Sequence, residues 1–279
     1  PVREEVFEAM RPFFGPKFGN PSSTHRFGRG ARAALVEARE RVAHCLGAHP
    51  DELSFNSCGT EGDNTAVLCL WRAMREAGRN AVVTTPIEHK AVIAAAHEVA
   101  HEGGEERILD VDTNGVVVDA SFDSLVRTDV AVTSVMWVNN ETGVIQDIPA
   151  LAQRAKDRGV VFHTDAVQAF GKIAIDARTQ PFDLLSISGH KIGAPKGIGA
   201  LFIRRGTAFE PLIRGGAQDR GRRAGTENIA YVVGLATAAE LAVAEREQHW
   251  TETEAMRDRL QEMLLAAIPD AVVHSRGAR

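Results

Sequence analysis

The residues best suited to covalent chemistry lie in the segment 183–199, DLLSISGHKIGAPKGIG. An apolar run leads there into Ser188, His190 and Lys191, which places a hydroxyl, an imidazole and an amine at one predicted strand end. The chain has only six lysines, and Lys191 alone follows a strand with two potential phosphate ligands beside it. A lysine removed from water has a lowered pKa and attacks aldehydes. The segment therefore predicts a covalent site for an aldehyde that carries a phosphate.

Two further polar residues follow apolar runs. Asp165 comes directly after GVVFHT, where its carboxylate could pair with a protonated ring nitrogen, although a helix or turn cap is an equally good interpretation. His89 comes after AVVTTPIE, where its imidazole could stack on a flat cofactor and move protons; the alternative is an ordinary structural histidine. An aspartate facing a pyridine nitrogen and a lysine facing an aldehyde are the pair that pyridoxal phosphate requires.

The segment 57–61, SCGTE, lies between an extended run and a predicted helix. The first backbone N–H groups of a helix lack intrahelical acceptors and favour an anion, so a phosphate could bind there. The alternative is that Thr60 only caps the helix, with Asp63 as its capping partner. The sequence leaves both interpretations open.

The elements that must position these residues alternate between extended and helical patterns, which predicts an α/β fold with a largely parallel sheet. Apolar residues three and four positions apart predict a helix from Phe27 to near Gly47, and a second helix follows Thr60. The segments 88–102, 149–158 and 228–268 are also helical in period, and 270–274 is a candidate strand. Short apolar runs typical of strands buried on both faces occur at 81–85, 130–138, 159–164, 183–188 and 199–203.

Composition narrows the classes of function. With 279 residues, 44% hydrophobic, and a net charge of -5, the chain is globular and has no overall attraction to nucleic acid, despite a local arginine cluster. No apolar run is long enough to span a membrane, and a cytoplasmic protein is expected. The three cysteines show no CxxC spacing and the ten histidines are scattered, so reduced thiols and no metal site are expected. The loop 214–225, RGGAQDRGRRAG, is either a solvated surface loop or a functional one.

Seven segments occur together in an order that resembles the class V aminotransferase-like cysteine desulfurases of the NifS and IscS type. They are FGNPSSTHRFG, SFNSCGTEGDNTAV, TTPIEHKAV, SVMWVNNETGVIQDI, FHTDAVQAFGK, DLLSISGHKIGAPKGIGALF and RGGAQDRGRRAGTEN. The residues around Cys58 and Arg222–Arg223 are most similar to the nitrogen-fixation desulfurases. One such segment is weak evidence, whereas seven in order are specific.

The resemblance implies a PLP-dependent transferase of fold type I. The large domain would hold a mostly parallel seven-stranded sheet with helices on both faces, and the small domain would be incomplete. Residues 1–12 would contribute to the small domain, residues 13–245 would form the PLP-binding domain, and residues 246–279 would begin the C-terminal small domain.

The resemblance also assigns roles to individual residues. Lys191 would bind the cofactor aldehyde and then move protons, Asp165 would hold the ring nitrogen, and His89 would stack on the ring. Gln168 and Asn140 would contact the ring hydroxyl and the substrate region. The phosphate would be held by Gly59, Thr60, Ser188, His190 and, from a partner subunit, Thr226. The arginine-rich loop would then be an interface arm of an obligate homodimer.

Members of this family convert L-cysteine to L-alanine and pass the sulfur, as a cysteine persulfide, to an iron–sulfur scaffold or another acceptor. The resemblance implies the same substrate and partners here. A selenocysteine lyase, a cysteine sulfinate desulfinase or a small-substrate aminotransferase would share most of these segments. A catalytically silent dimeric scaffold is a further alternative, whereas the absence of GxGxxG after a first strand argues against a dinucleotide-binding domain.

The resemblance places the family's nucleophilic cysteine and its substrate-binding arginine beyond residue 279, and an opening strand before Pro1. None of Cys45, Cys58 and Cys69 is a convincing substitute, because two lie in helical patterns and Cys58 lies in the phosphate segment. We therefore expect a shortened chain that binds pyridoxal phosphate and turns over cysteine poorly.

Overall fold

Seven strands form one mixed sheet in the computed structural model, which describes residues 1–275. Their order across the sheet is β1-β7-β6-β5-β4-β2-β3. β7 runs antiparallel to both of its neighbours, and the other pairs are parallel. The strands are β1 Leu53–Asn56, β2 Ala81–Thr84, β3 Glu105–Ile108, β4 Val130–Ser134, β5 Val161–Asp165, β6 Leu184–Ser188 and β7 Gly199–Ile203. The predicted α/β architecture with a mostly parallel seven-stranded sheet is confirmed.

Helices cover both faces of the sheet, as parallel strands require. They are α1 Glu4–Met10, α2 Arg26–Leu46, α3 Gly59–Asn64, α4 Leu70–Met74, α5 Lys90–His101, α6 Asp119–Leu125, α7 Ile148–Asp157, α8 Ile229–Ala244 and α9 Arg246–Ala267. One apolar core includes residues of α1, α2, α7 and α8, and a second includes residues of α4 and α5. The sheet is therefore buried on both sides, and its strand ends are left as the accessible edges.

The signals at helix ends explain two of the boundaries that the sequence predicted. The Nδ1 of His25 accepts a hydrogen bond from Gly28 N at 3.3 Å at the start of α2. Gly47 ends the same helix with φ 63°, a left-handed conformation that glycine adopts without steric cost. The helical segment 228–268 consists of two helices, because Glu245 separates α8 from α9.

Two local predictions are wrong. Residues 270–274 form turns and irregular structure, because no neighbouring strand pairs with them within residues 1–275. The strand predicted at 130–138 ends at Ser134, and the chain continues as a loop. The helix predicted after Thr60 is confirmed, and it contains a π-helical turn, Thr65–Cys69, between α3 and α4.

The arginine-rich loop 214–225 is fixed to the body of the chain by a buried aspartate. Asp219 forms an ion pair with Arg39 at 2.6 Å, with side chains 3% and 8% exposed, and accepts from Phe55 N at 3.1 Å. Asp219 adopts φ 48°, so its position comes from these contacts and not from backbone preference. The interpretation as a free, solvated loop is therefore wrong for its central part.

No helix within residues 1–275 is long and apolar enough to cross a membrane.

Candidate active site

Five strands of the sheet end at the same edge, so the segments that follow them lie close together. β2, β4, β5 and β6 are parallel, and β1 has the same direction because β7 runs antiparallel to both β1 and β6. Ligands of open α/β sheets bind beyond the carboxyl ends of such strands. A cavity of about 190 Å³ lies there, lined by Cys58, Gly59, Thr60, Asp63, His89, Met136, Asn140, Asp165, Val167, Gln168, Ser188, His190 and Lys191. All but one of the predicted site residues meet in this cavity.

Lys191 reaches the cavity from a short 3-10 turn, Gly189–Lys191, that follows β6 directly. Beside it, Ser188 Oγ and His190 Nδ1 are 2.9 Å apart, so the two predicted phosphate ligands contact each other. Burial lowers the pKa of His190, and the positive charge of Lys191 lowers it further. Lys191 itself is exposed at the cavity, which corrects the expectation that its amine is removed from water.

Asp165 ends β5 and is 4% exposed. Its Oδ1 accepts from Val167 N at 2.8 Å, so the turn-capping interpretation is correct and does not exclude a second contact. Burial raises the pKa of Asp165, while the Val167 N–H, His89 and Lys191 oppose that rise. Asp165 is thus a buried acid, and His89 and Lys191, which line the cavity, stabilise its ionised form.

His89 has the structural role considered for it and also lies at the cavity. It is the N-cap of α5, and its Nδ1 accepts from Ala91 N at 3.2 Å, while the ring also lines the cavity. Because Nδ1 accepts a hydrogen bond, the neutral ring carries its proton on Nε2. The capping bond therefore fixes which nitrogen of His89 can donate to a ligand.

The segment 57–61 turns sharply from β1 into α3. Cys58 is the N-cap and makes no side-chain capping bond, so the interpretation of Thr60 as the cap is wrong: the helix begins at Gly59, and Thr60 lies in its first turn. Gly59 is required by packing, since a Cβ there would approach Val167 Cγ2 to 2.7 Å. The first N–H groups of α3 lack intrahelical acceptors and lie at the cavity.

Glu61 holds this turn in place. Its Oε2 accepts from Ser57 N at 2.8 Å, and its Oε1 lies 3.0 Å from Nε of Arg223 in the arginine-rich loop. Burial alone would raise the pKa of Glu61, but the bonds from Arg223 and Ser57 outweigh it and lower the pKa. Glu61 thereby joins the loop 214–225 to the segment 57–61 at the start of α3.

Gln168 follows β5 and Asn140 follows β4, and both residues line the cavity. Lys172 Nζ donates to Gln168 Oε1 at 2.8 Å and to Gln168 O at 3.0 Å. An ammonium group only donates, so the Gln168 oxygen faces Lys172 and the amide N–H groups remain for the cavity. Burial lowers the pKa of Lys172, and Lys191 lowers it further. Asn140 is exposed and donates to Glu141 Oε1 at 2.9 Å.

Thr226 is the exception among the predicted site residues. It is exposed and lines a separate cavity of about 80 Å³, together with Ser57, Arg223 and Asn228. Within one chain it therefore does not join the other predicted phosphate ligands.

Sequence reasoning missed three residues of the cavity wall, Asp63, Met136 and Val167. Met136 and Val167 carry no chemical signal in sequence, because apolar residues near strand ends are common. Asp63 was interpreted only as a capping partner, although it is fully buried. Its burial depends on how α3 packs on the sheet, which the sequence does not show.

The three cysteines differ in environment. Burial raises the pKa of Cys45 and of Cys69 to about 11, whereas Cys58 lines the cavity. All three are free thiols, and no group of three or more His, Cys, Asp or Glu within the described part of the chain is arranged to hold a metal ion.

A family model, aminotransferase class-V, matches residues 1–276. The chain belongs to the aminotransferase class-V family. It is 50% identical over 273 residues to the cysteine desulfurase NifS of Azotobacter vinelandii, an alignment that covers 98% of this chain and 67% of that protein. The resemblance to NifS and IscS proteins is therefore confirmed, and the chain spans about two thirds of the length of such relatives.

Solved structures agree with this assignment. A NifS-like protein superposes with a TM-score of 0.92 at 37% identity, covering 95% of this chain and 73% of that one. The protein SspA, solved in complex with cysteine, superposes with a TM-score of 0.83 at 36% identity, covering 86% of this chain and 70% of that one. The predicted fold type is confirmed by these neighbours.

Pyridoxal phosphate is the cofactor of this family, as the motifs predicted, and the cavity fits it. The fit rests on a buried carboxyl, Asp165, an amine, Lys191, and the start of α3 at Gly59 and Thr60, which line the same cavity. These features match the ring nitrogen, the aldehyde and the phosphate of the cofactor, respectively.

Proposed function

We propose that this protein is a pyridoxal-phosphate-dependent cysteine desulfurase, which converts L-cysteine to L-alanine and passes the sulfur on as a persulfide. The observation that carries the proposal is the convergence of Lys191, Asp165 and His89 on one cavity beside the first turn of α3. The 50% identity to a cysteine desulfurase over nearly the whole chain supports the same substrate.

When bound, pyridoxal phosphate supplies an electron sink that weakens bonds at the α and β carbons of an amino acid. Lys191 would hold the aldehyde, and its Nζ would take up and return a proton. Asp165 would hold the ring nitrogen, whose positive charge would offset the cost of burying the carboxylate. His89 covers the ring and, because Nδ1 accepts from Ala91, can donate only from Nε2 while neutral.

The phosphate would be held by Gly59 and Thr60 at the start of α3 and by Ser188 and His190 after β6. The contact between Ser188 Oγ and His190 Nδ1 orients both side chains before a ligand arrives. Gln168 directs its amide N–H toward the ring hydroxyl because Lys172 occupies its oxygen, and Asn140 contacts the substrate region.

We also propose an obligate homodimer in which Thr226 completes the partner's phosphate site. Its exposure outside the main cavity supports this arrangement. The stacked rings of Phe18 and Phe27, 59% and 50% exposed, form an apolar surface that a second copy would cover. We propose the domain limits 1–12, 13–245 and 246–279 on the same family likeness.

The sulfur acceptor is proposed to be an iron–sulfur scaffold or another acceptor protein. The likeness around Cys58 and Arg222–Arg223 favours sulfur supply for nitrogen fixation, and a cytoplasmic location is proposed with it. Cys45 and Cys69 are poor candidates for the thiol that carries the persulfide, because burial keeps both in the thiol form.

The test of cofactor binding is absorbance combined with borohydride reduction. We expect the chain with added pyridoxal phosphate to show a visible-violet band, and reduction to attach the cofactor to Lys191 in a peptide map. Lys191→Ala should lose the covalent adduct, whereas Lys196→Ala, an exposed lysine five residues later, should retain it. An adduct that persists in Lys191→Ala would contradict the assignment.

The test of substrate is product analysis with L-cysteine, L-selenocysteine, cysteine sulfinate and a keto acid acceptor in separate reactions. A desulfurase gives alanine with stoichiometric sulfide or persulfide from L-cysteine in the presence of a reducing thiol. Transfer of the amino group to the keto acid would instead identify an aminotransferase, and preference for the selenium substrate would identify a selenocysteine lyase.

A further inference from the structure

A second buried acid, Asp63, lies on the floor of the cavity and has no assigned role. Its side chain is fully buried, and among residues 1–275 its carboxyl has no charged or backbone N–H partner, only the neutral hydroxyl of Ser186 beside it. The nearest group that could carry a positive charge is His163, whose Nε2 lies 3.7 Å from Asp63 Oδ1, beyond hydrogen-bond distance. A buried carboxylate with no cation and only one neutral hydroxyl beside it is costly.

His163 does not supply the missing charge. Its Nδ1 is 2.8 Å from Ser134 Oγ and its Nε2 is 2.9 Å from Ser186 Oγ, so both ring nitrogens contact hydroxyl groups in the sheet interior. Burial lowers the pKa of His163 to about 3, which keeps the ring neutral. A neutral chain, Ser134–His163–Ser186, therefore lies beneath Asp63.

Asp63 and Asp165 line the same cavity, but their surroundings differ. Asp165 accepts from Val167 N and is stabilised as an anion by His89 and Lys191, whereas only the neutral hydroxyl of Ser186 favours the anion of Asp63. Two neighbouring buried carboxyls are not both ionised, because the two negative charges repel each other. The proton stays on the carboxyl whose anion receives less stabilisation from hydrogen-bond donors and cations.

We propose that Asp63 is a positioning residue of this site: its carboxyl stays protonated in the folded chain at neutral pH, so that Asp165 alone carries the negative charge at the cavity floor. Burial, followed by the charge of Asp165, also raises the pKa of Asp63 well above its ordinary value. The ionisable groups that face Asp63 or its partner are Glu88, Cys58, His163, Asp165, His89 and Lys191.

The consequence for the site rests on the proposed function. A single ionised carboxylate can pair with one protonated ring nitrogen, and a neutral acid below it adds no repulsion. Asp63 would then act through Asp165 and not by touching the ring.

The direct test is infrared difference spectroscopy of the chain without cofactor at pH 7. A protonated carboxylic acid has a carbonyl stretch that ionised carboxylates lack, and labelling aspartate with ¹³C separates it from glutamate. We expect the aspartate acid band to lose one component in Asp63→Asn and to keep that component in Asp165→Asn. Loss in Asp165→Asn with retention in Asp63→Asn would overturn the proposal, as would a spectrum in which Asp63→Asn removes no acid component.

A second test uses unfolding between pH 5 and 8, again without cofactor. The folded wild type holds a proton on Asp63 that the unfolded chain releases above the ordinary pKa of 3.8, so its stability falls as pH rises. The Asp63→Asn variant has no proton to release at this position, so its stability does not fall for this reason. The folding equilibrium constant of the variant, divided by that of the wild type, should grow about tenfold per pH unit until the raised pKa of Asp63 is reached. A constant ratio would contradict the proposal.

Cofactor titration separates this inference from the proposed function. We expect Asp63→Asn to bind pyridoxal phosphate within about threefold of the wild type, and Asp165→Asn to lose about tenfold or more. Asp183→Asn, a half-buried carboxyl before β6 that accepts from Phe162 N, is the matched control and should bind as the wild type does. If no variant and no wild type binds the cofactor, the proposed function fails while the infrared result still decides the protonation of Asp63.

Discussion

Glu88 ties together two loops that form the cavity wall. Its Oε1 accepts from Thr85 Oγ1 and from Met136 N, both at 2.8 Å, so one carboxyl joins the loop after β2 to the loop after β4. Its Oε2 is buried without a partner in the described part of the chain. Burial raises the pKa of Glu88 to about 8, because these two donors do not offset the loss of water. Glu88 therefore holds a proton at neutral pH.

Glu88→Gln should change how stability depends on pH. The folded wild type binds a proton that the unfolded chain releases above pH 4.5, so this group's stabilisation is lost as pH rises toward 8, by up to about 1.4 kcal/mol per pH unit. Glutamine cannot ionise, and the variant should lose less stability between pH 5.5 and 8. Urea unfolding at several pH values measures the difference.

The matched control for this prediction is Glu98→Gln, on the exposed side of α5. Its stability should follow the wild type across the same pH range. Parallel pH curves for Glu88→Gln and the wild type would show that Glu88 is ionised in the folded chain.

At the scale of elements, the arginine-rich loop depends on one buried ion pair. Removing the carboxyl in Asp219→Ala leaves Arg39 buried and unpaired, and we expect a loss of about 3–5 kcal/mol in the free energy of unfolding. The exposed pair of Arg205 with Asp51 is the control, and Arg205→Ala should cost less than about 1 kcal/mol. Equal effects of the two substitutions would show that the loop is not anchored through Asp219.

The sequence predicted most elements because their patterns are strong. The strand at 199–203 is apolar throughout, and α2 has both an apolar period and a glycine at its end. β3 was missed because its residues Glu105–Ile108, EERI, lie at the edge of the sheet and are mostly charged. The strand predicted at 270–274 was wrong because an apolar run forms a strand only where another strand pairs with it.

The cavity was predicted in outline, since strand ends carry Asp165, Ser188 and Lys191 in recognisable order. The sequence could not show that Asp63 faces the same cavity, because its burial depends on how α3 packs against Ser186 and His163. It also could not show that Thr226 lies apart from the other ligands, since that depends on the path of the loop before it.

At the scale of the whole molecule, the proposed dimer should be visible in solution. We expect sedimentation to give the mass of two chains, and the double variant Phe18→Asp/Phe27→Asp to give one, because charges on the exposed stacked rings would oppose their burial. Val272→Asp, at a residue that is 74% exposed, is the control and should leave the mass unchanged. A wild type that sediments as one chain at all concentrations would contradict the dimer.

Gly199 of β7 does not line the cavity, yet the backbone that forms the cavity packs closely against it. Asn56 of β1 and Ser188 of β6 both pair with this residue, and a Cβ on it would approach Asn56 Oδ1 and Ile187 O to 2.6 Å and Cys58 C to 3.1 Å. The backbone after β1 can cross over β7 to meet the end of β6 only because residue 199 has a hydrogen atom in place of a side chain. A survey of relatives that scored only ligand-bearing positions would overlook this residue, and a design that grafted those positions onto another sheet would have to supply the same gap.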